Sequence, residues 1–213
     1  MNPGLSIFSS IILCLSCKEP GKHKVSTSAP LAKDTTIEYY SNAIEEKERA
    51  SVEKSYTTFG KLIAIIMFQV KDGNKEDFDD GIRPWIDINQ PEKDLPNLID
   101  SKEIVISEDT VTIIIDYPLT NEFRFDLSST NGFTREELVN EICKNYFKLY
   151  EEEERTATIK TVSLEKRKKI YNRNETNGKY GIWGHDISDL ALSEIVVYKT
   201  SDGKITLTLN MES

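Results

Sequence analysis

Apolar and polar positions follow several different periods along this chain, and each change of period marks an element. Ile37, Tyr40 and Ile44 recur at helical spacing. They predict a surface helix over 34–50, with Asp34 as its N-cap and a charged second half from Glu45 to Arg49. Residues 61–70 read K-L-I-A-I-I-M-F-Q-V, an isoleucine-rich run far too short to span a bilayer, and predict a buried central strand. Lys71-Asp72-Gly73-Asn74 closes it with turn chemistry. Residues 72–109 carry Pro84, Pro91 and Pro96 and read as loop, with Trp85 packed onto the domain.

Residues 103–107 and 111–117 flank Glu108-Asp109 and predict a hairpin. Phe123, Phe125 and Leu127 alternate with Arg124 and Asp126, the pattern of a half-buried strand. The best local signal is at 133–138. Thr134 and Glu137 form a capping box, in which each side chain satisfies a free backbone N–H at the helix start, and Phe133 and Leu138 are placed as the hydrophobic staple. The helix runs to about Glu152, with Leu138, Ile142, Cys143, Tyr146, Leu149 and Tyr150 on one broad face. Residues 158–164 predict a further strand. Near the end, 194–198 and 204–209 flank Ser201-Asp202-Gly203, a strong hairpin signal. Leu190 and Leu192 are out of phase with Ile195 and Val197, which predicts a bulge near Ser193-Glu194. Strands lie on both sides of one long helix without βαβ alternation. The predicted class is α+β, a mostly antiparallel sheet with one main amphipathic helix and a C-terminal β-hairpin.

Composition narrows the function classes. The 213 residues carry 27 Lys+Arg against 36 Asp+Glu, a net charge of -9, and mean hydropathy is -0.44. That excludes a polytopic membrane protein, and it argues against nucleic acid as a partner, because such binding works by displacing counterions with positive charge. Nine Tyr, eight Phe and two Trp exclude an acidic disordered tail. A single globular domain over 34–213 is expected.

The N-terminus has a different character. Residues 5–15, L-S-I-F-S-S-I-I-L-C-L, are uncharged and mostly apolar, within the length of a signal-peptide core and short of the ~20 residues of a spanning helix. Leu15-Ser16-Cys17-Lys18 follows. A small residue before a Cys at the end of such a run resembles the lipobox of bacterial lipoproteins. The resemblance covers about twenty residues. It implies a signal peptide over 1–16 and a diacylglycerol thioether on Cys17, with cleavage before that Cys and acylation of its new amine. Lys18 to Lys33 holds two Pro, one Gly and no apolar period, so 17–33 reads as the lipidated Cys and a flexible tether. Cys17-Lys18-Glu19 also resembles the start of surface-exported lipoproteins of some Gram-negative bacteria. The implied partner is the membrane, held through the lipid, and the implied location is the cell envelope at the outer membrane. Of Cys14, Cys17 and Cys143, cleavage removes the first and acylation occupies the second. Cys143 remains alone in an oxidising compartment and is expected to be buried.

Candidate chemistry is sparse. His23 lies in the tether, which leaves His185 for any acid–base role. Cys14-Leu15-Ser16-Cys17 has C-x-x-C spacing but falls at the lipobox-like end of the apolar run; beyond it the sequence contains no C-x-x-C, and nowhere an H-E-x-x-H, P-loop or G-x-S-x-G motif. Asp72-Gly73-Asn74 begins like a calcium loop, but Asp77 and Arg83 stand where Gly and Glu are needed. No metal and no cofactor is expected. One constellation remains, at 177–189. Gly178, Gly181 and Gly184 are spaced by three among Tyr180, Trp183, His185, Asp186 and Asp189. Read as a ligand loop, Tyr180 and Trp183 form a platform and His185, Asp186 and Asp189 supply polar groups. Read as structure, it is a bent strand with Trp183 in the core and Asp186 in a local turn. The basic stretch 165–173 reads either as an anion patch or as a partner for the glutamates at 151–154. Two functions are carried forward. One is a lipid-anchored binding or interaction module; the alternative is an anchored hydrolase using His185 with Asp186 or Asp189.

Overall fold

The computed structural model describes residues 37–54, 57–73, 77–78, 80–167 and 172–213. The expected signal peptide (1–16), Cys17, the expected tether and the expected N-cap Asp34 lie outside the described residues, as does 168–171 of the basic stretch. The chain divides into two compact units, Met1–Asp34 and Thr35–Ser213, and every element below belongs to the second.

Helix α1 spans Ile37–Val52. Strands β1 (Lys61–Met67), β2 (Val70–Lys71), β3 (Ile82–Arg83) and β4 (Ile86–Asp87) follow, then the short helix α2 (Pro91–Asp94). Strands β5 (Ile104–Ile106), β6 (Thr110–Ile115), β7 (Phe123–Ser128) and β8 (Phe133–Thr134) lead into the long helix α3 (Arg135–Thr156). The hairpin of β9 (Ala191–Lys199) and β10 (Ile205–Glu212) comes last. The main sheet runs β1-β9-β10-β6-β7, with β4 beside β9 beyond the end of β1. Only the β10–β6 pair is parallel in it. The fold is therefore α+β with a mostly antiparallel sheet, one main helix and a C-terminal hairpin.

The core follows from the two periods. Leu138, Ile142, Tyr146 and Leu149 along α3 are fully buried, and they join Ile113, Ile115, Ile195 and Leu207 of the sheet in one apolar cluster. Each such side chain removed from water contributes roughly 1.5–3 kcal/mol. The capping box at Thr134 and Glu137 is formed in full and fixes where α3 starts. The β9–β10 register slips between Asn210 and Met211, which passes over Ser193 and places the bulge where the phase change predicted it.

Three sequence expectations are corrected. The run at 61–70 is not a central strand. It ends at Met67 and forms the sheet edge, with Leu62, Ile65 and Met67 about half exposed. Within β1 only Ala64 and Ile66 face the core, Phe68 and Val70 being buried beyond its end, and apolar composition alone does not distinguish an edge strand from a central one. The hairpin over 103–117 does not form, because β6 is flanked by β7 and β10 while β5 pairs with β8 at the entry to α3. Residues 158–164 are not a strand. Their N–H groups are taken by side-chain amides instead: Asn177 Oδ1 accepts from Thr158 and Ile159 at 3.0 and 2.7 Å, and Asn174 Oδ1 accepts from Val162 at 2.8 Å. Side-chain acceptors of this kind compete with sheet pairing.

Candidate functional site

The glycine-spaced loop is held in place by one carboxylate at the end of α3. Glu153 is completely buried. Its Oε1 accepts from the Thr176 hydroxyl at 2.6 Å and the Gly178 N–H at 2.7 Å; its Oε2 accepts from the N–H groups of Tyr180 at 2.7 Å and Gly181 at 3.2 Å. Burial alone would push this carboxyl up, but the four donors outweigh it and hold Glu153 below its ordinary value of 4.5. Gly178 is required by closeness, since a Cβ there would lie 2.6 Å from Glu153 Oε2. Gly181 is required by its φ of +66°.

The five loop residues do not converge on one point. Tyr180 is buried; its hydroxyl donates to Glu152 Oε2 at 2.5 Å and its ring meets Phe123 edge-on at 5.5 Å. Trp183 is 4% exposed, edge-to-face with Tyr117 at 5.3 Å, and Lys47 Nζ stands 5.6 Å from its ring. His185 Nε2 hydrogen-bonds Glu48 Oε1 of α1 at 2.5 Å. The same carboxylate accepts from the Tyr117 hydroxyl at 2.8 Å, and that hydroxyl also lies 2.8 Å from Ser213 Oγ. Burial foremost, and the Glu48 charge after it, raise the Tyr117 phenol above its ordinary range, so it stays a proton donor. Asp186 turns away from His185 and pairs with Arg167 Nη1 at 2.7 Å. Asp189 accepts from the Asp186 N–H at 2.8 Å and closes a capping box on the short helix Ile187–Asp189. Glu48, not Asp186 or Asp189, therefore holds the imidazole.

Two clefts share α1 as a wall. One, of about 290 Å³, lies between α1 and the 173–184 segment; Tyr39, Tyr40, Ile44, Arg173 and Trp183 are among its lining. The other, of about 770 Å³, includes Glu48, Asp116, Tyr117, Glu194 and Glu212. Among the described residues no group of three or more His, Cys, Asp or Glu could hold a metal ion, and no helix is long and apolar enough to cross a membrane.

Sequence reasoning missed Glu48, Glu153, Arg167 and Arg173 as organising residues. Glu153 had a readable signal: positions 142, 146, 149 and 153 continue one helical face, so a carboxylate was due on the buried side of α3. Glu48 had none, since 137 positions separate it from His185. Arg167 and Arg173 of the basic stretch approach Asp186, and the glutamates at 152 and 153 are engaged by Lys179 and by the loop instead.

Comparison of the chain with family models, with curated proteins and with solved structures finds no match in any of the three.

Proposed function

We propose that this chain is a lipid-anchored protein of the bacterial cell envelope and that its domain is a binding or interaction module. The anchoring half of this reading rests on the lipobox-like Leu15-Ser16-Cys17 after an apolar run. The observation that carries the reading is the state of the remaining thiol. Cys143 is 3% exposed on α3, and burial pushes it up to about 12, so it is inert in an oxidising compartment. The binding half is supported by the fate of the loop's polar groups. Asp186, Asp189 and the Tyr180 hydroxyl are all engaged within the fold. Among the described residues the hydrogen bond of the His185 ring goes to Glu48 and none goes to a Ser, Thr or Cys side chain. Intact-mass measurement and detergent partitioning of wild type and Cys17→Ser test this. Wild type should begin at Cys17, carry acyl mass and enter the detergent phase, and the variant should lose the acyl mass. A wild-type chain that keeps Met1 and stays aqueous would defeat the proposal.

A second reading, an anchored hydrolase, is favoured by one observation: Glu48 holds His185 at 2.5 Å and also bonds Tyr117, an orienter-and-imidazole pair beside an open cleft. It predicts ester or amide hydrolysis that His185→Ala abolishes and that Asp189→Ala leaves unchanged.

A further inference from the structure

Residues 158–164 turn apolar side chains to water and polar ones inward. Ile159, Val162 and Leu164 are 53%, 42% and 64% exposed, whereas Thr161 and Ser163 between them are partly buried. A partly buried segment ordinarily has the opposite polarity. The backbone is held in this arrangement by side chains of four other residues. The N–H groups at 158 and 159 go to Asn177, that of Thr161 to Glu154 and that of Val162 to Asn174. The carbonyl of Lys160 accepts from Asn174 at 3.1 Å and that of Val162 from Arg167 at 2.7 Å. Three apolar side chains within six positions thus form a preformed outward row, which marks an interaction surface where a single exposed residue would not.

Basic residues flank the row. Positions 158–173 hold six Lys and Arg against one Glu, in a chain of net charge -9. The neighbouring carboxylates are engaged within the domain. Glu152 pairs with Lys179, Glu153 holds the glycine loop, Glu154 accepts from the Thr161 N–H, Glu165 accepts from the Ser163 hydroxyl and Glu175 pairs with Lys47. Glu151 and Arg155 of α3 are both exposed alongside. Lys160 donates to the main-chain carbonyl of Glu154, and Lys166 is exposed at the end of the helical turn Leu164–Lys166. Arg167 and Arg173 face Asp186 and are left out of the row.

The chain enters the domain on this side. Helix α1 begins at Ile37, twenty positions after Cys17. Tyr39 in its first turn is 52% exposed, and Tyr39 and Tyr40 line the smaller cleft together with Asn174, the residue that clamps Lys160 and Val162. A tether of that length reaches roughly 25 Å, against about 40 Å across a compact domain of this size. An anchor at Cys17 therefore holds this side nearest the lipid. Tyrosine suits a membrane–water interface, and a lysine stem can lie along apolar surface while its ammonium reaches a phosphate.

We propose that the 159–164 row rests on the bilayer surface, with Ile159, Val162 and Leu164 entering at headgroup depth and Lys160 and Lys166 meeting lipid phosphates. The occupant is the lipid surface that the anchor supplies. The inference rests on the anchored half of the proposed function and goes beyond it by naming the face of the domain that meets the membrane.

The test uses the full chain in vesicles of phosphatidylethanolamine with a minor share of phosphatidylglycerol, carrying lipids brominated either near the headgroup or near the chain end. Bromine quenches an indole that reaches its depth. Emission is read from Leu164→Trp over the wild-type background of Trp85 and Trp183, beside Ile65→Trp on the sheet edge and Ser201→Trp in the β9–β10 turn. That turn lies at the opposite end of β6, since Ile205 pairs with Val111 while Pro118, past the other end, accepts from the Trp183 N–H. Leu164→Trp should be quenched, and more by shallow bromine than by deep; the other two should stay at background. Ile159→Asp with Val162→Asp should abolish the quenching at 164 while circular dichroism and thermal unfolding stay those of wild type. Should that pair fold poorly, the depth profile and the two control sites still decide. No quenching at 164 above background, or equal quenching at 65 or 201, overturns the proposal. In unacylated Cys17→Ser in plain buffer, the indole of Leu164→Trp should be open to aqueous acrylamide; shielding in a chain that sediments as a dimer assigns the row to a second copy and overturns it too. A chain with acyl mass and no quenching at 164 removes this inference and leaves the anchor. A chain without acyl mass that is quenched at 164 leaves this inference and removes the anchor, and one that is neither acylated nor quenched removes both.

Discussion

The carboxylate of Glu153 receives the backbone N–H of Tyr180 at 2.7 Å across 27 positions of sequence, and this one bond, with its three companions, joins the last turn of α3 to the glycine loop. Glu153→Gln keeps the shape but turns an amide donor toward N–H groups that need an acceptor. Unfolding in urea should show a loss of about 3 kcal/mol, since each unmet buried donor costs ~1–3 kcal/mol. A loss below ~0.5 kcal/mol, the surface range, would show that the loop does not depend on it.

The same group sets a pH dependence. Glu153 has a folded pKa held below its ordinary 4.5, so the stability it gives is present above that value and is lost as pH falls through the folded pKa. Wild type should lose stability progressively below about pH 4.5. Glu153→Gln should show a shallower acid limb in the same titration of unfolding free energy. Parallel limbs in the two proteins would assign the acid sensitivity elsewhere.

Asp186→Asn removes the carboxylate facing Arg167 and Arg173. The expected loss is roughly 2–3 kcal/mol, less than for a wholly buried pair because the Asp186 side chain keeps 25% exposure. Thermal melts of Asp186→Asn beside Asp189→Asn check it; the Asp189 change removes only a local cap and should cost about 1 kcal/mol.

Cys143, with its thiol pushed up to about 12, should not react with an aromatic disulfide reagent at neutral pH while the chain is folded. Addition of denaturant should release one equivalent of reactive thiol from a chain whose Cys17 is acylated. Fast reaction in the native state would show that α3 opens at this turn.

The edge position of β1 separates two isoleucines one residue apart. Ile65→Lys changes a side chain that is 53% exposed and should leave stability within about 0.5 kcal/mol. Ile66→Ala, at 4% exposure, should cost about 2–5 kcal/mol, as should Ile142→Ala on α3. Equal losses at 65 and 66 would restore the central-strand assignment.

What the sequence revealed follows from how local each feature is. The α3 capping box, the Asp202-Gly203 hairpin and the bulge at Ser193 depend on residues within a few positions of one another, and all three are found. The 103–117 hairpin failed because strand pairing is a choice among all available edges. β10, which lies ninety residues further on, takes one side of β6. The strand at 158–164 failed because its hydrogen-bond partners are amide side chains at 174 and 177, which no alternation pattern records. At the candidate loop, the residue types were readable and their partners were not. Glu48, Arg167 and Arg173 meet the loop only once α1 and the basic stretch fold against it.

The contact between Gly178 and Glu153 bears on what the loop's glycines do. A run of three glycines ordinarily suggests a segment that moves. Here the missing Cβ lets the backbone approach a buried carboxylate to a distance no other residue permits, and the loop is clamped by the four donors it supplies. Its conformational entropy was surrendered when the chain folded. Whatever enters beside Trp183 meets a wall that is already in place on that side, and its residence time will be set by the contacts it makes and not by a loop that has to close over it.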